Sequence, residues 1–280
     1  MKKNKLCFST LGCTERTLDE VVSLAGDYGI ENLEIRGLSG ILDNSKIPYF
    51  SETEIENTKR VLSENGIFVR MVGASASFDT REKHEASISE AMAAVKVASA
   101  LGAPYIRVFG NKIKGDVYEV AKNVSDGIAA LCKQAEPFGV TVLLEVHGDF
   151  NREETLAPVL SALSDVKNFG VIWDIAHSHT HYGNNFAEFY NFIRPYIKHV
   201  HIKDVCIQDL DIRDCSLIGN GKRTLCLPGY GDIPIREIIG KMEADGYCGC
   251  YSLEWERHWH PELLPIEDAL DSFLKIASEI

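Results

Sequence analysis

Short β-prone runs alternate with longer amphipathic stretches from one end of the chain to the other, and few folds can absorb that alternation. The runs are LCFSTLG (6–12), NLEIRG (32–37), FVRMVGAS (68–75), YIRVFG (105–110), VTVLLEVHG (140–148), FGVIWDIAH (169–177), HVHIKDV (199–205) and CYSLEWE (250–256). Between them, stretches such as 17–29, 53–66, 85–102 and 116–139 place apolar residues at helical spacing. Gly29, Gly66, Gly102, Gly139 and Gly246 each close such a stretch just before a strand, where a left-handed helix cap suits glycine. Strand–helix alternation gives a parallel sheet, and eight such units predict closure into a single (β/α)8 barrel. No Pro, Ser or Gly-rich linker divides the 280 residues, so 1–280 is read as one domain. One connection is abnormal. The polar, glycine-rich stretch 206–232 after the seventh strand is far longer than an ordinary strand–helix connection and is read as a loop, a candidate lid or substrate loop. Its GNGKRT segment is not a phosphate loop: Ser216 stands where the first glycine of that motif belongs, and Arg223 where Ser or Thr belongs.

Barrel enzymes carry their chemistry at the C-terminal ends of the strands, and the unexpected polar residues fall there. Glu145 interrupts an apolar run and shares a face with Leu143 and His147, because strand side chains alternate with period two. The sixth strand ends in Asp174, the seventh in His199, His201 and Lys203, the eighth in Glu254 and Glu256. Acids gathered at one mouth repel each other unless a cation lies between them. Three carboxylates and one imidazole make a mostly oxygen site that suits Mn²⁺ or Mg²⁺ and tolerates Co²⁺ or Zn²⁺. Each residue also has a plainer reading: Glu145 as an interior partner of Arg107 or Lys203, His201 as a histidine satisfied by a backbone carbonyl. The HSHTH segment (177–181) reads as a solvated loop, with His177 alone close enough to Asp174 to reach a substrate. His258 and His260 read as rim residues, and Trp255 and Trp259 as pocket walls or plain packing.

Charge narrows the partners. Forty-one acidic against 29 basic residues give a formal charge of -12, which repels a nucleic-acid backbone and an anionic membrane alike. The N-terminal MKKNKLCFSTLG turns polar at Ser9, too early for a secretory signal, and no apolar run approaches a membrane span. Eight scattered cysteines without CxxC spacing read as reduced thiols. A soluble, cytoplasmic protein is expected.

LLEVHGD, WDIAH, HVHIKD, LPGYGDIP and SLEWE, in that order and preceded by LGAPYIRVFG, resemble the sugar phosphate isomerase/epimerase superfamily. This xylose isomerase-like TIM barrel group includes D-tagatose 3-epimerase, hydroxypyruvate isomerase and inosose dehydratase. The resemblance implies one divalent metal ion, Mn²⁺ in first place, held by Glu145, Asp174, His201 and Glu254. It implies that Glu145 and Glu254 also exchange protons with the substrate through a metal-stabilised enediolate, while His177 holds a substrate oxygen. Lys203, Arg107, His147 and Glu256 are assigned to substrate binding, and Arg36 or Arg107 to a carboxylate or phosphate group. The chain departs from the ketose 3-epimerases at Asn151 and Ile207, where that subgroup carries glutamate and arginine; another sugar, an inositol-derived ketone or a small keto acid fits instead. The expected activity is a metal-dependent isomerase or epimerase acting on a small-molecule carbohydrate, with an inosose-dehydratase-like lyase as the alternative. An endonuclease IV-like hydrolase is disfavoured, because strands one to four supply Glu34 but no histidine. The sequence is compatible with a homo-oligomer.

Overall fold

The computed structural model describes residues 1–206, 216–218 and 223–280. Its strands are β1 (Leu6–Ser9), β2 (Asn32–Ile35), β3 (Phe68–Ser77), β4 (Tyr105–Phe109), β5 (Thr141–Glu145), β6 (Phe169–Asp174), β7 (Ile197–Ile202), β8 (Asp204–Cys206), β9 (Ser216–Ile218), β10 (Arg223–Cys226) and β11 (Tyr251–Leu253). Its helices are α1 (Leu18–Tyr28), α2 (Ile55–Glu64), α3 (His84–Leu101), α4 (Val117–Ala135), α5 (Glu153–Ala162), α6 (Ile175–Tyr182), α7 (Phe186–Ile193), α8 (Ile235–Ala244) and α9 (Ile266–Ser278). Strands β1 to β7 and β11 close into a parallel barrel, β1 pairing with both β2 and β11. The eight strands read from the sequence are the eight of the barrel.

Local chemistry explains the repeating unit. Thr17 opens α1 with a reciprocal cap: its Oγ1 accepts from the Glu20 N–H at 3.3 Å, and Glu20 Oε2 accepts from the Thr17 N–H at 2.8 Å. Such a cap contributes about 1 kcal/mol. The helix buries Leu18, Val21, Val22, Leu24 and Ala25, then stops at Gly29 with φ +62°. Gly102 ends α3 in the same way at φ +72°. The main core lies between helices and barrel wall, where Val142 and Leu144 of β5 point outward and are fully buried.

The opposite face of each strand fills the barrel. Met71, Leu143 and Ile172 form a small apolar plug with Tyr105 packed against it. Two residues further along the same strands, the alternation delivers Gly73, Arg107, Glu145 and Asp174. In-register pairing sets them side by side: Gly73 opposite Arg107, Phe109 opposite Glu145, Asp174 opposite His201. A two-residue step thus carries the interior from apolar plug to charged mouth.

The 206–232 stretch is not simply a loop. Its ends pair as the antiparallel strands β8 and β10, with β9 alongside, and Val205, Cys206, Leu225 and Cys226 are buried. Strands of three or four residues are too short to leave a periodic signature in sequence. Residues 207–215 and 219–222, on which the lid reading rests, lie outside the described residues. Asp204 organises the other end of this connection. Its buried carboxylate accepts from the backbone N–H groups of Val205, Gly229, Gly231 and Ile233 at 2.9, 2.8, 2.9 and 3.2 Å. Gly231 can approach because it lacks a side chain: a Cβ there would lie 2.2 Å from Asp204 Oδ1. Among the described residues no disulfide is formed, and no helix is long and apolar enough to cross a membrane.

Candidate metal centre and active-site mouth

Four strands converge their ends on one point. Glu145 ends β5, Asp174 ends β6, His201 lies in β7 and Glu254 follows β11, and one donor atom from each lies within 4.8 Å of the others. All four residues are buried. His201 is held by Glu34, whose Oε2 lies 3.0 Å from its Nε2 and also accepts from Ser252 Oγ at 3.0 Å. The other ring nitrogen, Nδ1, therefore faces Glu254 Oε2 at 3.3 Å and Glu145 Oε1 at 3.6 Å. Asp174 is divided in the same way. Its Oδ1 caps α6 by accepting from the Ala176 and His177 N–H groups at 2.8 and 3.1 Å, leaving Oδ2 to the site.

The donors ask for a cation. Glu145 Oε2, Asp174 Oδ2, Glu254 Oε2 and His201 Nδ1 are buried without a well-directed hydrogen bond, and three carboxylates buried this close together are costly without cations among them. Three acidic oxygens and one imidazole nitrogen, oriented by partners on their far sides, fit a divalent ion. The buried Glu/Asp/His cluster can bind a metal. Glu34, His199 and His201 form a second cluster just beneath it.

Protein cations occupy the surroundings. Arg107 Nη1 lies 3.1 Å from both Glu145 Oε2 and Glu254 Oε1. Lys203 Nζ lies 2.8 Å from Asp174 Oδ2 and 2.5 Å from Glu254 Oε2, and also bonds Glu256. Burial would push Glu145 up, yet Arg107, helped by His201, holds it down at about 2. Against the same burial, His201 and Lys203 hold Glu254 well below the usual carboxylate range. Asp174 goes the other way, since burial outweighs Lys203. Burial, reinforced by His147 and Lys203, pushes His177 down to about 3, so its ring is neutral.

Above the donors opens a cavity of about 250 Å³ lined by Arg36, Arg107, Glu145, Lys203, Glu254 and Glu256, among others. His147 lies against Phe109 and against the His177 ring, 4.1 Å between centroids. The His177 Nε2 is 4.0 Å from Asp174 Oδ2. Every sequence-predicted site residue is therefore at or beside this mouth, with Glu256 engaged by Lys203.

Two sequence readings change, for HSHTH and Glu34, and one pair of alternatives, for the tryptophans, is resolved. HSHTH is helix rather than loop, because the Asp174 side chain starts α6 at the strand's end, and His179 is buried. Trp255 is packing: it is fully buried and its Nε1 donates to the Leu264 carbonyl at 2.9 Å, while the exposed Trp259 lines the cavity. Glu34, read only as an early-strand acid, orients His201. An acid inside the apolar NLEIRG run was its one sequence signal.

The residues 22–276 match the family model described as xylose isomerase-like TIM barrel. No curated protein matches the chain significantly. Among solved structures, the IOLI protein with a bound zinc atom is 22% identical with TM-score 0.77, covering 98% of this chain and 97% of its own. The probable 3-DHS dehydratase AsbF of Bacillus anthracis is 18% identical with TM-score 0.74, covering 96% and 98%. The 3-keto-D-glucoside 4-epimerase YcjR of E. coli is 19% identical with TM-score 0.73, covering 98% and 99%. At such identities these likenesses establish the fold, and the family model establishes more: the chain belongs to the xylose isomerase-like TIM barrel family.

Proposed function

We propose that the chain is a divalent-metal-dependent isomerase or epimerase that moves a proton beside the carbonyl of a sugar, sugar phosphate or related polyhydroxy ketone. The observation that carries this reading is the pair Glu145 and Glu254. Both are buried at the cavity floor, both lean on the same Arg107, and each keeps one carboxylate oxygen without a hydrogen bond. When bound by Glu145, Asp174, His201 and Glu254, a divalent ion, Mn²⁺ in first place and Mg²⁺, Co²⁺ or Zn²⁺ compatible, supplies Lewis-acid polarisation of the substrate carbonyl.

The chain's own residues supply the remainder. Glu254 and Glu145 stay ionised at neutral pH because of their cationic neighbours, which is the state from which a carboxylate takes a proton. One takes the proton from beside the carbonyl and becomes neutral; the other delivers a proton to the opposite face only after taking one from water, which is why the returned position carries solvent hydrogen. Neutral His177 offers a hydrogen bond to a substrate oxygen without adding charge, and His147 braces its ring. Lys203 offsets Asp174, Glu254 and Glu256 and faces the cavity where a substrate oxygen sits.

The alternative, a lyase of the inosose-dehydratase kind, uses the same proton abstraction followed by loss of a β-hydroxyl; a fold neighbour is a probable dehydratase. The test is a solvent-deuterium exchange screen over ketoses, inososes and keto acids with Mn²⁺ present. Metal-dependent incorporation of deuterium that Glu254→Gln abolishes is the expected result, and loss of water in the product selects the lyase. Exchange that survives Glu254→Gln, or none with any carbonyl compound, overturns the reading.

A further inference from the structure

Among the described residues Arg36 is a cation of this mouth with no carboxylate within ion-pair distance, although Glu254, Glu145 and Glu90 act on it from further away. It follows β2 on the interior face, is 3% exposed, and lines the cavity beside Arg107. Arg107 and Lys203 are both engaged by carboxylates. The Arg36 guanidinium instead donates through Nη2 to Ser75 Oγ at 2.6 Å, while Nε and Nη1 are buried with no partner among the described residues. Burial, and after it the nearby Arg107, push its pKa down to about 10 against the opposing pull of Glu254, Glu145 and Glu90.

The barrel is shaped to keep it there. Gly73 of β3 lies under the arginine: a Cβ at that position would come within 2.7 Å of Arg36 Cδ and 3.5 Å of Arg107 Nη2. The Arg36 backbone N–H is pinned to Thr10 Oγ1 at 2.9 Å. Burying a guanidinium with no carboxylate at ion-pair distance is costly, and the planar fork that Nη2, shared with Ser75, forms with Nε or with Nη1 is complementary to an oxyanion.

We propose that Arg36, with Ser75, is the receptor for a carboxylate on the substrate, so that the molecule turned over is a sugar-acid-type polyhydroxy carbonyl compound rather than a neutral sugar. This rests on the reading that proton transfer takes place at Glu145 and Glu254. A carboxylate is favoured over a phosphate by the donor count, one fork and one hydroxyl. It is also favoured by position: barrel phosphate sites are frequently built from the loops after strands seven and eight, whereas Arg36 follows the second.

The experiment is calorimetric titration of the Mn²⁺-loaded protein with three unreactive probes, D-gluconate, D-glucitol and D-glucitol 6-phosphate. Gluconate is expected to bind about tenfold or more tighter than glucitol. Arg36→Gln is expected to bring that ratio to within about twofold while melting no lower than the parent, since it removes a buried charge with no carboxylate at ion-pair distance. The comparison with the variant separates the guanidinium's grip from that of a metal on the α-hydroxycarboxylate. Equal binding of gluconate and glucitol, an unchanged ratio in Arg36→Gln, or a preference for the phosphate ester each overturns the proposal. None of the probes has a carbonyl to isomerise, so the outcome is independent of the exchange test. Deuterium exchange on neutral ketoses without gluconate preference refutes Arg36 alone, and gluconate preference without any exchange refutes the reaction alone.

Discussion

Replacing Lys203 by methionine tests whether the mouth is a charge-balanced site with room for one more cation. The ammonium lies 2.8 Å from Asp174 and 2.5 Å from Glu254, bonds Glu256, and is 2% exposed. Methionine keeps an unbranched chain one atom shorter and removes the charge, leaving three clustered acids without their shared partner. Removing one side of a buried ion pair costs about 3–5 kcal/mol. For a chain of this size each kcal/mol moves Tm by about 2–4 °C, so the EDTA-treated variant is expected to melt about 10 °C below the parent. A divalent ion substitutes for the missing charge. At about one hundred times its Kd it restores about 2.7 kcal/mol, and the variant gains more from Mn²⁺ than the parent does because no ammonium competes for Asp174 and Glu254. Circular dichroism melts of both proteins in EDTA and in Mn²⁺ read this directly. A fall in Tm below about 2 °C in EDTA, or equal gains from Mn²⁺ in the two proteins, refutes the reasoning.

Glu34→Gln tests the support beneath His201, whose Nε2 it holds at 3.0 Å; Mn²⁺ affinity by calorimetry is expected to fall about 10–100-fold with the fold retained, and an unchanged affinity removes Glu34 from the site. Gly231→Ala inserts a Cβ 2.2 Å from Asp204 Oδ1, and a loss of about 1–3 kcal/mol in denaturant melts is expected from the overpacking. Melting equal to the parent would show that the Asp204 turn yields freely. Glu145→Gln, like Glu254→Gln, is expected to abolish deuterium exchange while leaving the melting profile folded; retained exchange excludes Glu145 from the proton pair.

Most of the barrel was legible because its signals are local. Eight apolar runs, glycine stops and two-residue alternation each depend on neighbours in the chain, and they fixed both the strand order and the inward direction of Glu145, Asp174, His201 and Glu254. What stayed hidden depends on distant partners or on short elements. Glu34 acquires its role from His201, 167 positions away and across the barrel. Arg36 is notable for lacking a carboxylate at ion-pair distance, a property that only packing reveals. The helix α6 has no apolar stripe through HSHTH, and its start is set by the Asp174 side chain, which in sequence reads only as a metal ligand. β8 and β10 are three and four residues long, below the length at which alternation can be told from chance.

The central claim is that Glu145, Asp174, His201 and Glu254 together hold one divalent ion. Anomalous-scattering crystallography of the protein grown with Mn²⁺ tests it without any substrate. One strong peak is predicted among Glu145, Asp174, Glu254 and the Nδ1 of His201, with Lys203 displaced toward Glu256. A peak between Glu34, His199 and His201 instead, or no peak at saturating Mn²⁺, contradicts the account.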